Sequence, residues 1–323
     1  HILGIRADID ALPITEQTEC SFKSENEGTM HACGHDTHTA ILLATAKLLA
    51  QHKDELPLTV RLIFQPAEEF IEDSGALHMK TIPSILECER LIGLHIMSDF
   101  AAGDAALSEG PVMASADTFD VYIEGKGGHG AHPEQCIDPI QAGVEFIQSV
   151  NRMVAREIMP TTPVVVSITQ FVAGTTSNVI PETAHLSGTT RTADPALRDR
   201  FPEILERTAA AVMQDTSTRI KVDYHLGCAV TINDPEVTET GRKAAAQVFG
   251  ADHLLKQPFV MGGEDFSKFT NAKAYLWLGG GAQDPAKRVA AHSPFFEIDE
   301  SVMKNGVAYF LQYIDEWAQE LKL

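Results

Sequence analysis

The sequence predicts an α/β protein in which a mostly parallel sheet with flanking helices is interrupted by a smaller α+β domain. Short apolar runs alternate with helical patterns at both ends of the chain, and this alternation is typical of parallel sheets covered by helices. Between these regions, strands with alternating apolar and polar residues indicate an antiparallel sheet. At 323 residues the chain is long enough for two cores. We therefore expect an outer domain formed by residues 1–114 and 227–323, and an inserted domain over residues 115–226.

The outer domain alternates strand-like and helical segments. Its expected elements are strand Ile2–Ile5, helix Thr39–Gln51, strand Leu58–Gln65, helix Ser74–Lys80, strand Arg90–Ile96, helix Glu236–Phe249, strand Ala274–Leu278 and helix Ser301–Leu321. The chain starts inside a strand-like run. We therefore expect further residues to precede it in the whole protein, and a targeting segment among them stays open.

The inserted domain has the order strand, helix, strand, strand, helix, strand. Its expected elements are strand Thr118–Glu124, helix Pro139–Ile158, strand Val164–Val172, strand His185–Arg191, helix Ala196–Gln214 and a last strand that ends near Tyr224. This order suits a small α+β domain with a core of its own.

Charge and cysteine usage restrict the partners and the compartment. The chain has 45 acidic and 25 basic residues, a formal net charge of -20, which argues against nucleic acid and anionic membranes as partners. No run approaches the roughly 18 to 20 apolar residues of a membrane span. The five cysteines are scattered and odd in number. This pattern predicts reduced thiols and a cytoplasmic protein rather than a disulfide framework.

Residues 30–36, Met-His-Ala-Cys-Gly-His-Asp, place a thiol, two imidazoles and a carboxylate ahead of an apolar helical run. Because one residue separates Cys33 from His35, both side chains project from the same face of an extended backbone and can reach one ion or a close pair. Gly34 between them allows a tight bend. The segment predicts part of a metal site, and the remaining ligands must come from elsewhere in the chain.

Two acidic residues follow the strand Leu58–Gln65, in the sequence Pro66-Ala67-Glu68-Glu69. Functional groups gather beyond the carboxyl ends of strands in parallel α/β sheets. Adjacent side chains tend to point in different directions, so one carboxylate can bind a metal while its neighbour accepts a proton from water. The alternative is an exposed acidic loop without a catalytic role.

Two histidines are candidates for the remaining ligands. His95 lies near the end of the apolar strand Arg90–Ile96, and His292 follows the last strand and its glycine turn. Each could also be a structural histidine. Together with Cys33, His35 and Glu69, however, they all follow predicted strands or lie in their connecting loops. Five ligands with Glu68 held back as the base suit two metal ions, about 3.5 to 4 Å apart in such sites.

Four strings carry a family resemblance: Arg6–Pro13, Met30–Asp36, Pro66–Glu69 and Gly262–Phe266. They resemble the M20 metallopeptidases, and within them the amidohydrolases of N-acyl amino acids, including hippurate and auxin-conjugate hydrolases. The resemblance covers essentially the whole chain. It implies that five residues are metal ligands and that Glu68 is the general base. The implied ligands are Cys33, His35, Glu69, His95 and His292.

The chain departs from the wider family at one position. Other M20 branches have a metal-binding histidine where this chain has Asp8, two residues before Asp10. We expect both aspartates to orient ligands through hydrogen bonds, and Cys33 to compensate for the missing histidine. His31 and His38 are expected to pack or orient, and Asp36 to start the following helix. Relatives also carry N-terminal helices that precede the region corresponding to this chain.

Three residues of the inserted domain match substrate-binding positions of the family. His129 lies in a glycine-rich turn, and the resemblance implies that it stabilises the oxyanion, often in the partner subunit's active site. Asn178 and Arg191 match positions that hold the substrate, and an arginine fork can clamp a carboxylate. Without the resemblance, these residues suit a hairpin loop and a surface charge. The resemblance predicts a homodimer formed through the inserted lid/dimerisation domain.

The leading hypothesis is a binuclear metal amidohydrolase that cleaves N-acyl amino acids or small peptides by attack of a metal-bound hydroxide, with Glu68 as general base. Its cofactors would be two divalent ions, with zinc or manganese expected first and cobalt or nickel as alternatives. One competing hypothesis is an inactive relative that binds metal and acyl amino acids. Another is a Cys33 nucleophile paired with His35, which would be insensitive to chelators.

Overall fold

The computed structural model describes residues 1–323. The elements, in chain order, are β1 (Ile2–Asp8), α1 (His35–Gln51), β2 (Thr59–Gln65), α2 (Gly75–Met79), α3 (Pro83–Leu86), β3 (Arg90–Ala101), β4 (Ala105–Ala106), β5 (Gly110–Met113), β6 (Ala116–Glu124), β7 (Gly128–His129), α4 (Pro139–Glu157), β8 (Val164–Ala173), β9 (Val179–Ile180), β10 (Thr183–Thr192), α5 (Pro195–Thr216), β11 (Arg219–Cys228), β12 (Thr231–Asn233), α6 (Pro235–Phe249), β13 (Leu254–Leu255), β14 (Ala272–Gly281) and α7 (Met303–Leu321).

The chain forms two compact units. The first unit comprises residues 1–112, 232–259 and 265–323, and the second comprises residues 113–231 and 260–264. No helix is long and apolar enough to cross a membrane.

The first unit contains a six-stranded sheet in the order β13-β4-β14-β3-β1-β2. Its four longest strands, β14, β3, β1 and β2, are parallel neighbours. The short β4 pairs antiparallel with β14 and parallel with the short β13. The prediction of a mainly parallel sheet is therefore confirmed. Strands β1 and β2 end side by side, with Asp8 opposite Gln65. The residues that follow these two strands are thereby brought to one edge of the sheet.

Apolar side chains from the strands and from helices α1, α6 and α7 form the core of the first unit. Its fully buried members include Leu3 and Ile5 of β1, Leu276 of β14, Ile41 of α1 and Phe310 of α7. Strand β1 is buried along almost its whole length, as expected for a central parallel strand. This core holds the carboxyl edge of the sheet in a defined position.

Two of the element boundaries that differ from the sequence prediction lie at predicted ligands. Strand β3 continues to Ala101, so His95 lies inside the strand rather than at its end. The extension occurs because β14 pairs with β3 beyond this point, with Leu278 opposite Ile96. Helix α1 begins at His35, and Asp36 lies in its first turn rather than before it. The expectation that Asp36 starts the helix was wrong, because Gly34 takes the cap position.

Gly34 is in the left-handed region, with φ of 81°. A Cβ atom at this position would lie 2.3 Å from Cγ2 of Ile96. Glycine is therefore required both by the backbone conformation and by the close approach of β3. This turn places Cys33 before the helix and His35 at its first position.

The second unit contains a four-stranded antiparallel sheet in the order β11-β6-β10-β8. Residues of β6 and β10 alternate between buried and exposed positions, because helices α4 and α5 cover only one face of the sheet. Phe119 and Leu186 of the strands pack with Phe146 and Phe201 of the helices. Asp138 and Asp194 cap the two helices, each followed by proline.

Candidate metal centre

The five predicted ligands of the first unit come from four separate segments. Cys33 precedes α1 and His35 opens it, Glu69 follows β2, His95 lies within β3, and His292 lies in the loop after β14. The sheet and the turn at Gly34 together set the positions of these side chains. The fold therefore explains how residues up to 259 positions apart in sequence reach the same place.

Three overlapping groups of ligand atoms describe the cluster. The atoms of Cys33, His35 and His95 lie within 4.8 Å of one another. The same separation applies to Cys33, Glu69 and His292, and to His35, Glu68 and Glu69. Each of Cys33, His35 and Glu69 belongs to two groups. All five predicted ligands and Glu68 are consequently part of one connected cluster.

His95 presents one nitrogen to the cluster in a defined state. Its Nδ1 donates to the carbonyl oxygen of Ile96 at 2.7 Å, so the lone pair is on Nε2, which lies 3.6 Å from Sγ of Cys33. Burial lowers the pKa of His95 to about 3, because the charged ring would lose its hydration. The ring is therefore neutral at physiological pH and can act as a metal ligand.

His35 has a buried nitrogen without a hydrogen-bond partner. Its Nδ1 lies 3.2 Å from Oδ1 of Asp10, while Nε2 is buried and makes no hydrogen bond. Burial by itself would lower the pKa of His35, but Asp8 and Asp10 outweigh this effect and raise the pKa to about 9. Buried polar atoms are rarely left without partners. Without a metal ion, this pKa means that Nε2 carries a proton at neutral pH, and a bound ion would displace that proton. A buried imidazole nitrogen without a hydrogen-bond partner fits a metal ligand in this way.

His38 differs from His35 because both of its nitrogens are engaged. Nδ1 lies 2.5 Å from Oδ1 of Asp8, and Nε2 accepts the backbone N–H of Ile96 at 2.8 Å. Burial would raise the pKa of Asp8, but Arg6 and His38 hold it well below its usual value. The geometry agrees with an orienting role for His38, since it has no nitrogen left for a metal.

Glu68 and Glu69 follow the end of β2, and their side chains have different surroundings. The backbone N–H of Glu69 donates to Oδ2 of Asp10 at 3.0 Å, and its Oε1 lies 3.1 Å from Nε2 of His292. Glu68 is buried, and its Oε1 accepts the N–H of Asp265 at 3.4 Å. One carboxylate thus faces a predicted ligand, while the other is held from behind by the backbone.

Backbone strain is found on both sides of the cluster. Ala67 has φ of 55° and His292 has φ of 65°, a region that residues other than glycine rarely adopt. The N–H of His292 donates to the carbonyl oxygen of Ala32 at 2.7 Å, which fixes its loop beside Cys33. Strained residues tend to occur at functional sites, and here one precedes the predicted base Glu68 and the other is the last predicted ligand.

Of the three site residues predicted in the second unit, two lie together and the third lies apart. Strands β7 and β9 place His129 opposite Val179, and the N–H of Gly130 donates to the carbonyl oxygen of Asn178 at 2.8 Å. Arg191 lies near the far end of β10, eight residues after its first residue, which is about 26 Å at the rise of a strand. The structure therefore brings His129 and Asn178 together but not Arg191.

Arg191 is half-buried, and burial lowers the pKa of its guanidinium. Its Nη1 donates to the carbonyl oxygens of Thr190 at 2.9 Å and Asp117 at 3.3 Å, and to the hydroxyl of Thr189. These contacts use one side of the guanidinium. The atoms Nε and Nη2 make none of these contacts.

A cavity of about 590 Å³ in the first unit lies beside the cluster. Residues on both sides of the Cys33–His35 segment line it, including His31, Asp36 and Phe296. No predicted ligand lines this cavity, so it is distinct from the metal cluster.

A buried network behind the cluster was not predicted from the sequence. It consists of Arg6, Gln65, Asp265 and Tyr275, which hydrogen-bond to one another and to Asp8. The available signal was the charged Arg6 in the middle of an otherwise apolar strand, since a fully buried charge must be paired. The string Gly262–Phe266 was recognised as similar to the family, but no role was derived for its aspartate.

A parallel sheet whose edge collects a thiol, imidazoles and carboxylates defines this protein as a metallohydrolase. The chain belongs to Peptidase family M20/M25/M40, whose sequence model matches residues 4–316. The resemblance inferred from the motifs is thereby confirmed. The chain is an amidohydrolase or carboxypeptidase-like member of this family, whose dinuclear metal hydrolases act on amino acid amides and peptides.

Relatives and solved structures agree with this assignment. The N-acetylcysteine deacetylase of Bacillus subtilis is 37% identical over 96% of this chain and 80% of that protein. Thermostable carboxypeptidase 1 of Saccharolobus solfataricus is 36% identical over 94% of this chain and 77% of that protein. The YXEP protein of Bacillus subtilis, a dinuclear metal-binding peptidase from the M20 family, matches with a TM-score of 0.82 and 34% identity, over 97% of this chain and 80% of that chain.

Proposed function

We propose that this protein hydrolyses the amide bond of N-acyl amino acids or small peptides with two divalent metal ions and Glu68 as the general base. The five proposed ligands are Cys33, His35, Glu69, His95 and His292. The observation that carries the proposal is the buried, unpartnered Nε2 of His35 within a cluster of thiol, imidazole and carboxylate groups.

The donor set suits transition metals. Thiolate and imidazole favour zinc, while the carboxylate also admits manganese, cobalt or nickel. His95 offers a lone pair on Nε2 because Ile96 holds the proton on Nδ1. When bound, the ions would lower the pKa of water from about 15.7 towards roughly 7 and polarise the scissile carbonyl.

Glu68 moves the proton in this proposal. Its carboxylate accepts a proton from the attacking water and then donates it to the leaving nitrogen, which departs as an amine. The N–H of Asp265 holds the carboxylate in place, and burial excludes bulk water from it. Glu69 cannot share this task while it serves as a ligand, so the two adjacent acids have separate roles.

The proposed substrates share one chemical feature. An N-acyl amino acid and the last residue of a peptide both carry a free carboxylate beside the scissile amide, and relatives named as a deacetylase and a carboxypeptidase act on such groups. We assign this carboxylate to Arg191 and assign Asn178 and His129 to the acyl carbonyl and its developing negative charge. The proposal includes a homodimer through the inserted unit, in which His129 and the neighbouring Asn178 serve the partner subunit's active site.

Metal removal and substrate screening test the proposal together. The protein is dialysed against a chelator, analysed for metal content, and assayed on N-acetyl, N-benzoyl and indole-acyl amino acids and on dipeptides before and after Zn²⁺ or Mn²⁺ is added. We expect two ions per chain, loss of activity on chelation and recovery with metal. Activity that survives chelation but not alkylation of Cys33 would favour the thiol nucleophile instead. Metal binding without turnover of any of these substrates would favour a binding protein.

A further inference from the structure

Arg6 is a buried cation in the middle of strand β1. Only 1% of its surface is exposed, and β1 lies between β2 and β3 in the sheet. A guanidinium in such a position is strongly destabilising unless other groups bind it. Arg6 lies behind the proposed metal centre, and its contacts lead towards that centre.

The guanidinium donates in three directions. Its Nε donates to Oε1 of Gln65 at 2.9 Å, and Nη1 donates to Oδ2 of Asp8 at 2.8 Å and to the hydroxyl of Tyr275 at 3.2 Å. Its Nη2 donates to Oδ1 of Asp265 at 2.9 Å. The planar fork of arginine can supply these contacts from one rigid group, which an ammonium cannot do.

The first contact leads to the imidazoles. Asp8 holds the ring of His38 through Oδ1 at 2.5 Å, and its Oδ2 lies 3.7 Å from the unpartnered Nε2 of His35. Arg6 binds the same Oδ2 and thereby fixes the orientation of the carboxylate. The position of Asp8 in turn limits where the rings of His35 and His38 can lie.

The second contact leads to the proposed base. Asp265 accepts from Arg6 and from Nε2 of Gln65, at 2.8 Å on Oδ1 and 2.7 Å on Oδ2, and Oδ2 also accepts the N–H of Ala76 at 3.1 Å. With its side chain held at several points, its backbone N–H is directed at Oε1 of Glu68 at 3.4 Å.

We propose that Arg6 is a positioning residue for both parts of the centre. It holds Asp8 against the imidazoles of His35 and His38, and it holds Asp265 against the general base Glu68. The inference rests on the proposed function, because it takes His35 as a ligand and Glu68 as the base. The hydrogen bonds of Arg6 to Asp8 and Asp265 are the contacts through which it acts on them. Replacing the guanidinium of Arg6 should therefore weaken metal binding and lower kcat together, whereas replacing the carboxylate of Asp265 should lower kcat alone.

The test compares Arg6→Lys and Asp265→Asn with a matched control, Arg90→Lys. Arg90 is also a mostly buried arginine of the first unit, where it donates to Thr240 at 2.8 Å and stacks on Trp317 at 4.8 Å. It is, however, the first residue of β3, whereas His95 lies in the middle of that strand. Each metal-free variant is titrated with Mn²⁺ by calorimetry, and kcat and KM are measured on an N-acetyl amino acid. Thermal unfolding shows whether each variant is folded.

We expect Arg6→Lys to bind Mn²⁺ about 10 to 100-fold more weakly at one site and to lose kcat. Asp265→Asn should keep Mn²⁺ binding and KM but lose about tenfold in kcat, a modest share of a general base's usual contribution. Arg90→Lys should lower the melting temperature and change neither the Mn²⁺ affinity nor kcat. A purely structural role for Arg6 would instead make Arg6→Lys behave like Arg90→Lys.

Folded Arg6→Lys with wild-type Mn²⁺ affinity and kcat would overturn the inference. If Arg6→Lys does not fold, Asp265→Asn decides, and wild-type kcat in that variant overturns it. Failure of the proposed function is distinguishable, because the wild-type protein itself would then bind no divalent ion or hydrolyse no substrate. That result would overturn both proposals, whereas an unaltered Arg6→Lys beside an active wild-type enzyme overturns only the role of Arg6.

Discussion

Each unit buries an aspartate completely, and the two aspartates lie in different kinds of network. In the second unit, Asp117 accepts from Nη2 of Arg198 at 2.7 Å and the N–H of Gly227 at 2.8 Å on Oδ1. Its Oδ2 accepts from Nε of Arg198 at 2.9 Å and the hydroxyl of Tyr224 at 3.0 Å. In the first unit, Asp8 binds Arg6 and His38 but adjoins Nε2 of His35, which makes no hydrogen bond.

The comparison separates a structural network from one that can bind a ligand. Both oxygens of Asp117 are saturated by groups of its own unit, so the network can stabilise the fold but has no atom left for a ligand. The network around Asp8 ends in an imidazole nitrogen without a partner, beside a thiol and two carboxylates. Burial of charge is common to both units, and the nitrogen without a hydrogen-bond partner distinguishes the network of the first unit.

The largest effect is expected for Glu68→Gln in the first unit. The amide keeps the size of the side chain but cannot accept the proton, so kcat should fall by about 10²–10⁴-fold, the usual contribution of a general base. Metal content by mass spectrometry should stay at the wild-type value, because Glu68 is not a proposed ligand. A kcat near that of the wild type would contradict the assigned role.

Disruption of the Asp117 network in the second unit should lower the stability of the protein rather than its activity. Arg198→Met removes the main partner of the fully buried Asp117, and breaking a buried ion pair on one side costs about 3 to 5 kcal/mol. Urea denaturation should show this loss, while the Mn²⁺ affinity of the first unit remains unchanged. A variant with wild-type stability would mean that Tyr224 and Gly227 suffice to hold the carboxylate.

Arg191 tests whether the second unit also contributes to catalysis. Arg191→Lys keeps the charge but loses the bidentate geometry, and an interaction of this kind with a carboxylate is worth about 1.5 to 3 kcal/mol. We expect KM for an N-acetyl amino acid to rise by about 10 to 100-fold with a smaller change in kcat. The same substrate with its carboxylate amidated should bind wild type and variant equally. A preference for the free acid that survives in the variant would place the carboxylate elsewhere.

The smallest effect is expected at Lys273, a buried cation that is bound by backbone carbonyl oxygens rather than by a carboxylate. It donates to the carbonyl oxygens of Ser267 and Phe269, and burial lowers its pKa from 10.5 to about 8. Between these two values the unfolded chain binds more protons than the folded chain, so the contribution of Lys273 to stability increases with pH. Below pH 8 the buried cation is charged in both states and its full cost remains.

The Lys273→Met variant isolates this contribution. Compared with the variant, the wild-type protein should gain about 1 kcal/mol of unfolding free energy between about pH 8 and about pH 9, as measured by urea denaturation at several pH values. A difference between the two proteins that is independent of pH would show that Lys273 retains an ordinary pKa.

Much of the fold could be predicted because its signals are local. The apolar runs of β1 and β2 and the helical pattern of α6 predicted those elements to within a few residues. Strand β3 was predicted too short because its second half depends on pairing with β14, which lies more than 170 residues away in sequence. The start of α1 was misplaced because the left-handed turn at Gly34 depends on the approach of Ile96.

The sequence by itself determined the family, the two kinds of sheet and the chemical types of the candidate ligands, because motifs and residue periodicity are properties of neighbouring residues. Tertiary structure decided which nitrogen of each histidine is available, which carboxylate is held by the backbone, and how Arg6 reaches Asp8 and Asp265 at once. These outcomes depend on contacts between strands that are distant in sequence. Hydrogen bonds across such contacts assign each proton and each lone pair.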